Sequence, residues 1–72
     1  MKPKNEPVSY VIGPQGTILT NADLPPAGVG RWTARRKAEI VIALRGGLLS
    51  LEEASERYSL TVEELAVWQR LI

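Results

Sequence analysis

The sequence has no cysteine and no histidine among its 72 residues. Without cysteine the chain cannot form a disulfide. Without either residue it lacks the usual ligands of a zinc finger and the base of histidine-dependent nucleophilic catalysis. The carboxylates are predicted to fall on helix faces rather than around one pocket. We therefore expect no enzyme, no metal or other cofactor, and no small-molecule substrate.

Long apolar runs are missing as well. The longest, residues 40–44, is far shorter than the roughly 20 apolar residues that span a bilayer. The polar first seven residues do not resemble a signal peptide. The sequence therefore predicts a soluble cytoplasmic protein with no membrane contact. Its length predicts one small domain, which buries only about 60% of its unfolded surface and so has modest stability.

The net charge of +1 conceals two stretches of opposite charge. Residues 31–45 carry five cations against one anion, and residues 50–64 carry five anions against one cation. Such a molecule can meet an anionic partner with one part of its surface and a cationic partner with another.

The N-terminal half of the chain is predicted to contain little helix. Residues 1–9 read as a disordered lead-in, residues 10–20 as a β-hairpin around Gly-Pro-Gln-Gly, and residues 21–30 as a linker bent by two prolines. A two-stranded hairpin is marginal alone. We therefore expect part of its apolar side chains to pack on the helices, and the candidates are Tyr10, Ile12, Ile18 and Leu19.

Residues 31–72 are predicted to form three helices. The first covers residues 31–45, begins at a Thr33 cap and is closed by Gly46-Gly47. The remaining two begin at capping boxes, in which a Ser or Thr and a Glu three residues later cap each other. The two boxes are Ser50 with Glu53 and Thr61 with Glu64.

The spacing of apolar residues predicts how the last two helices meet. One stripe consists of Leu51, Ala54 and Tyr58, and the other of Leu65, Trp68 and Ile72, with Leu60 in the turn between them. Residues 50–70 are therefore predicted to be a helix-turn-helix. An ordinary helical hairpin in a small bundle would show the same stripes. The predicted fold class is mainly α, with a short N-terminal β-hairpin followed by three helices, the last two forming the helix-turn-helix.

Four cations at the start of the first helix are the first candidate site. This basic cluster consists of Arg31, Arg35, Arg36 and Lys37. The positive end of the helix dipole disfavours cations there, and stability alone would favour Asp or Glu. The cluster is either an ordinary solvated face or a site for a phosphate or an acidic protein. The sequence favours the binding site, because Arg31 adds to the cations of the first turn.

The last helix is the second candidate site, since the second helix of a helix-turn-helix enters the DNA major groove. The residues predicted to face a base edge are Thr61, Val62, Glu63, Ala66, Val67, Gln69 and Arg70. Valine contacts a thymine methyl and glutamate accepts from cytosine N4. However, Glu63 and Glu64 would also repel phosphates, so base reading by this helix is weakly supported.

Several stretches resemble the small CtrA inhibitory protein family of bacteria: YVIGPQG, LPP, RRKAEIVIALRGGLLSLEEA, RY, and LTVEEL followed by WQR. The resemblance covers residues 10–70 and implies a hairpin before a helix-turn-helix similar to that of Trp repressor-like domains. It also implies repression, within the cell cycle, of genes that the response regulator CtrA activates. The basic run 35–37 and the helix 61–70 match family positions.

Both binding to the regulator and direct contact with promoter DNA are implied by the resemblance. Family members continue past WQR with a basic tail, so we expect a chain ending at Ile72 to be truncated and to lose phosphate contacts. The sequence favours docking on the regulator, because the predicted reading helix is acidic and the net charge is low for a DNA binder. Direct, sequence-specific DNA binding without a protein partner is the alternative.

Overall fold

The computed structural model describes residues 8–71. Its elements are β1 (Tyr10–Ile12), β2 (Ile18–Thr20), a 3-10 helix (Asn21–Asp23), α1 (Ala34–Gly46), α2 (Leu51–Tyr58) and α3 (Val62–Leu71). The predicted fold class is therefore confirmed. Most of the predicted disordered lead-in, residues 1–7, and Ile72 of the predicted stripe lie outside the described residues. Within residues 8–71, no helix has the length and apolar character that crossing a bilayer requires.

The hairpin presents one face to the helices and one to solvent. Its strands pair antiparallel, with Val11 opposite Leu19 and Ile12 opposite Ile18. Leu19 is buried and Val11 packs against the core. Tyr10, Ile12 and Ile18 are each more than half exposed, so of the four candidates Leu19 alone packs on the helices. Side chains alternate along a strand, and the register that turns Val11 and Leu19 inward turns these three outward.

The predicted linker contains structure that sequence reasoning missed. Residues Asn21–Asp23 form a 3-10 helix, and a capping box joins its ends. Thr20 donates to the Asp23 carboxylate through its backbone N–H at 3.0 Å and its hydroxyl at 2.8 Å. These two bonds, the backbone one first, lower the pKa of Asp23. Leu24, directly after this turn, is buried in the core.

Helix α1 begins three residues later than predicted. Thr33 has an extended backbone, and its hydroxyl accepts from the backbone N–H of Arg36 at 3.2 Å, so the predicted cap is confirmed. At the other end, Gly47 is left-handed (φ 79°) and closes the helix. Gly46 was predicted to belong to this closing cap. It is instead the last helical residue, and it lies against the Val11 side chain.

The two predicted capping boxes differ in outcome. Ser50 and Glu53 make both reciprocal bonds, each 3.0 Å long, at the start of α2. The Ser50 backbone N–H, followed by its hydroxyl, lowers the pKa of Glu53. At α3 the Glu64 backbone N–H donates to the Thr61 hydroxyl at 3.1 Å. The returning bond from the Glu64 side chain is not among the hydrogen bonds of residues 8–71.

The turn between α2 and α3 depends on a left-handed serine. Ser59 has φ 54° and ψ 42°, and its N–H donates to the Ser55 carbonyl. The Ser55 hydroxyl donates to the Leu60 carbonyl at 2.6 Å. Leu60 is half-buried and packs against the core from within the turn, as predicted. Residues 51–71 are thus two helices at an angle and not one continuous rod.

We expect Ser59→Gly to stabilise the protein. A left-handed conformation costs a non-glycine residue about 1–2 kcal/mol, and glycine relieves this strain. Part of the stability so gained is offset by the greater entropy of glycine in the unfolded chain. The expected net gain is about 0.5–1 kcal/mol, or roughly 3–6 °C in Tm for a domain of this size. Thermal unfolding of Ser59→Gly and Ser59→Ala would measure it. Equal Tm values for the two variants would contradict the prediction, because alanine cannot relieve the strain.

Residues from α1, α2, α3 and the hairpin share one core. Its four largest fully buried side chains are Ile40, Val41, Leu49 and Leu65. Ala54 and Tyr58 are buried as the predicted stripe requires, whereas Leu51 is 38% exposed and was wrongly included in it. The contact of α2 with the core begins one turn later, at Ala54.

Candidate docking surface

The structure divides the basic cluster into three arginines and a lysine. Arg35 is exposed, and its Nε lies 3.9 Å from a Glu39 oxygen one turn along α1. An exposed pair of this kind contributes about 0.5 kcal/mol or less, because solvent screens it and both side chains lose freedom. Arg36 is half-buried and donates from Nη1 to the Arg31 carbonyl at 2.9 Å. This bond holds the segment before α1 against its first turn.

Lys37 points toward α3 instead. Its Nζ lies 5.5 Å from the ring centre of Trp68, within the range of a cation–π interaction. Trp68 in turn packs on Trp32, at 5.0 Å between ring centres, and Trp32 meets Tyr58 edge-on at 5.2 Å. The predicted core role of Tyr58 and Trp68 is therefore confirmed. Lys37 contributes to packing between α1 and α3 as well as to the charge of the surface.

The three arginines line a groove beside the proline segment. The groove has a volume of about 510 Å³. Its lining residues are Asp23, Leu24, Pro25, Pro26, Arg31, Thr33, Arg35, Arg36 and Glu39. Sequence reasoning identified the arginines but not the opposite wall. The only signal for that wall was the Pro25-Pro26 pair, which indicates a stiff extended segment without showing what it faces.

Most of the predicted base-reading residues are accessible on α3. Thr61, Val62, Glu63, Ala66, Val67 and Arg70 are exposed. Gln69 is half-buried, and its backbone carbonyl accepts from Arg45 Nη2 at 2.6 Å. The Arg45 guanidinium thus binds the negative end of α3 and ties it to α1. Whether the exposed residues contact a ligand stays a prediction.

The acidic part of the molecule also faces solvent. Its glutamates on α2 and α3 are all exposed, and they are Glu52, Glu53, Glu56, Glu63 and Glu64. Within residues 8–71 the one ion pair is Arg35 with Glu39, so none of these five belongs to an ion pair there, although the charge of Arg57 acts on Glu53. Exposed anions therefore outnumber cations on α2 and at the start of α3.

Comparison with known proteins gives a family and two similar structures. The family model described as "Protein of unknown function (DUF1153)" matches residues 3–72. The NMR solution structure of a Rhodobacter sphaeroides protein is 44% identical, with a TM-score of 0.83, over 100% of this chain and 77% of that one. A second structural-genomics target solved by NMR is 43% identical, with a TM-score of 0.61, over 94% and 67%.

No curated protein matches the sequence. The descriptions of the family and of the two structures state no activity. The resemblance to the small CtrA inhibitory protein family therefore stays a prediction.

Proposed function

We propose that this chain, which belongs to the DUF1153 family, inhibits transcription by docking on a response-regulator transcription factor of the CtrA type. The proposed activity is non-enzymatic and belongs in the cytoplasm. In it, the arginines of the basic cluster bind an acidic surface of the regulator, and the bound chain blocks transcription activation.

One observation carries the proposal: the cations are available to a partner while the predicted reading helix presents anions. Arg35 is 64% exposed, and its one ion pair within residues 8–71 is the long contact to Glu39. Glu63 and Glu64 stand exposed in the first turn of α3, where a major-groove helix would approach phosphates. The exposed arginine is suited to an acidic protein surface. The exposed glutamates of α3 disfavour binding to a polyanion such as DNA.

Binding to a purified CtrA-type regulator in the absence of DNA tests the proposal. We expect isothermal titration calorimetry to detect a complex that Arg36→Glu weakens at least about tenfold, because charge reversal replaces a charge-assisted contact by repulsion. Arg45→Glu is the matched control. It makes the same change of charge on the same helix, at an exposed residue away from the groove, and like Arg36→Glu it removes one bond from a guanidinium to a backbone carbonyl. We expect it to change the affinity by less than about threefold.

Two results would contradict docking on the regulator. One is the absence of binding heat at protein concentrations up to the millimolar range. The other is an equal loss of affinity in Arg36→Glu and Arg45→Glu, which would indicate a response to net charge alone and not to the basic cluster.

Direct DNA binding is the second candidate function. The observation that favours it is the exposed outer face of α3, where Val62 is 51% exposed and Val67 39% exposed. It predicts that log K for a promoter duplex falls with log salt by about 0.9 per phosphate neutralised. Val62→Ala should then alter preference among duplexes, while Arg36→Glu should weaken binding to all of them. Salt-independent or undetectable duplex binding would eliminate this candidate.

A further inference from the structure

The groove between the proline segment and α1 has the dimensions of a ligand site. Its volume of about 510 Å³ falls within the range of roughly 300–1,000 Å³ that is usual for such sites. One wall consists of Leu24, Pro25 and Pro26, and the other consists of the first turns of α1. The groove thus has an apolar side and a charged side.

The apolar wall is held in place by buried contacts. The Tyr58 hydroxyl donates to the Pro25 carbonyl at 2.7 Å, in the only hydrogen bond between side chain and backbone that is fully buried within residues 8–71. Just before the wall, Asn21 donates to the Leu48 carbonyl and accepts from Arg57. Proline has a fixed φ and carries no backbone donor. The wall is therefore rigid. Leu24 and Pro25 are buried in it, and Pro26 is its exposed apolar residue, with no N–H group.

The charged wall has hydrogen-bonding capacity to spare. Each guanidinium carries five N–H donors. Within the described residues, the Arg36 side chain uses one of its nitrogens on the Arg31 carbonyl, and Arg35 makes only the 3.9 Å contact with Glu39. Planar guanidinium groups bind carboxylates through two parallel bonds. The arginines can therefore receive carboxylates without losing a strong internal contact.

Two carboxylate side chains in the groove lining limit which ligands the arginines can bind. Asp23 and Glu39 belong to the lining, and the Thr20 bonds that lower the pKa of Asp23 keep its carboxylate charged. A nucleic acid brings a charge at every nucleotide and would bring phosphates close to these carboxylates. A peptide can place its charges at the arginines and an apolar side chain on the prolines.

We infer that this groove binds an extended acidic peptide segment that carries an apolar residue next to its carboxylates. Carboxylates of the segment pair with Arg31, Arg35 and Arg36, and the apolar side chain lies on Pro26, the exposed residue of the proline wall. The inference rests on the proposed function in assigning the basic cluster to a protein partner. It adds the place of contact and the chemistry of the segment that enters it.

Titration of the ¹⁵N-labelled full chain with short peptides tests the inference. The probes are a capped hexapeptide of alternating glutamate and leucine, the same peptide with serine for leucine, the same peptide with lysine for glutamate, and a 12-base-pair DNA duplex. We expect the glutamate–leucine peptide to shift the amide signals of residues 23–39. We expect the serine peptide to bind at least about threefold more weakly, because it lacks the apolar contact, and the lysine peptide not to bind.

Variants of the charged wall identify the place of binding. We expect Arg36→Gln and Arg31→Gln each to lower the affinity for the glutamate–leucine peptide about tenfold, the usual effect of losing a charge-assisted contact. Arg45→Gln removes the same charge outside the groove and should leave the affinity within about twofold. Two arginine variants are used so that a folding defect in one of them leaves the other informative.

Three outcomes would overturn the inference. In the first, the peptide shifts no amide signals of the groove. In the second, the duplex shifts them in its place. In the third, the affinity for the peptide falls equally in Arg36→Gln, Arg31→Gln and Arg45→Gln. The two titrations together separate this failure from failure of the proposed function. If the regulator binds and Arg36→Glu weakens it, but the peptide shifts no signals in the groove, the inference fails alone. If the peptide binds in the groove and the regulator does not bind, the proposed function fails alone.

Discussion

Leu65→Ala is expected to remove a large share of the free energy of unfolding. Leu65 is fully buried, and it is the one buried residue that α3 contributes within residues 8–71. Truncating a buried leucine to alanine costs about 2–5 kcal/mol, from lost transfer free energy and from the cavity that remains. A domain of this size stands near the lower end of the usual 5–15 kcal/mol of stability. Urea unfolding followed by tryptophan fluorescence would measure the loss.

Leu71→Ala is the matched control for this prediction. It makes the same truncation on the same helix, but Leu71 is 79% exposed. A surface substitution of this kind usually changes the free energy of unfolding by less than about 0.5 kcal/mol. Similar losses in the two variants would mean that α3 does not pack on the core through Leu65, and the arrangement of the last two helices would then be wrong.

Gly46→Ala is expected to weaken the packing of the hairpin on α1. A Cβ added to Gly46 would overlap Cγ1 of Val11, and a β-branched side chain in a strand has little freedom to move away. Overpacking typically costs about 1–3 kcal/mol, while alanine improves helix propensity by roughly 1 kcal/mol. We expect a net destabilisation of about 1 kcal/mol, together with faster hydrogen exchange at Val11 and Leu19, the pair opposite each other in the hairpin.

A double-mutant cycle with Val11→Ala isolates that contact. Removing Cγ1 leaves the Val11 Cβ at 3.4 Å from the added atom, which the structure can accommodate. Gly46→Ala should therefore be destabilising in the native background and stabilising, through helix propensity, in the Val11→Ala background. The expected coupling is about 1–2 kcal/mol. Additive effects of the two substitutions would show that β1 does not lie on the end of α1.

Local chemistry made two of the helix caps predictable. The caps at Thr33 and Ser50 lie where the sequence placed them, because a side-chain cap acts within four residues and needs no tertiary information. Apolar periodicity likewise identified Ala54, Tyr58 and Leu65 as core residues.

Features that depend on pairing between distant segments were not predictable. The hairpin register decides which of its apolar residues faces the helices, and sequence alone did not distinguish Leu19 from Ile18. The groove is the clearest case. Its walls are separated by several residues in the chain, and the bond from Tyr58 to Pro25 that positions one wall joins residues 33 positions apart. Sequence reasoning therefore located the cations of the candidate site but not its shape.

The contact among Trp32, Tyr58 and Trp68 provides an intrinsic spectroscopic probe of how the helices are arranged. These rings come from the segment before α1, from α2 and from α3, and the chain has no other tryptophan and no phenylalanine. Near-ultraviolet circular dichroism is therefore dominated by rings whose mutual distances depend on the angle between the last two helices. Any ligand that opens or closes this angle will change the dichroism without an added label.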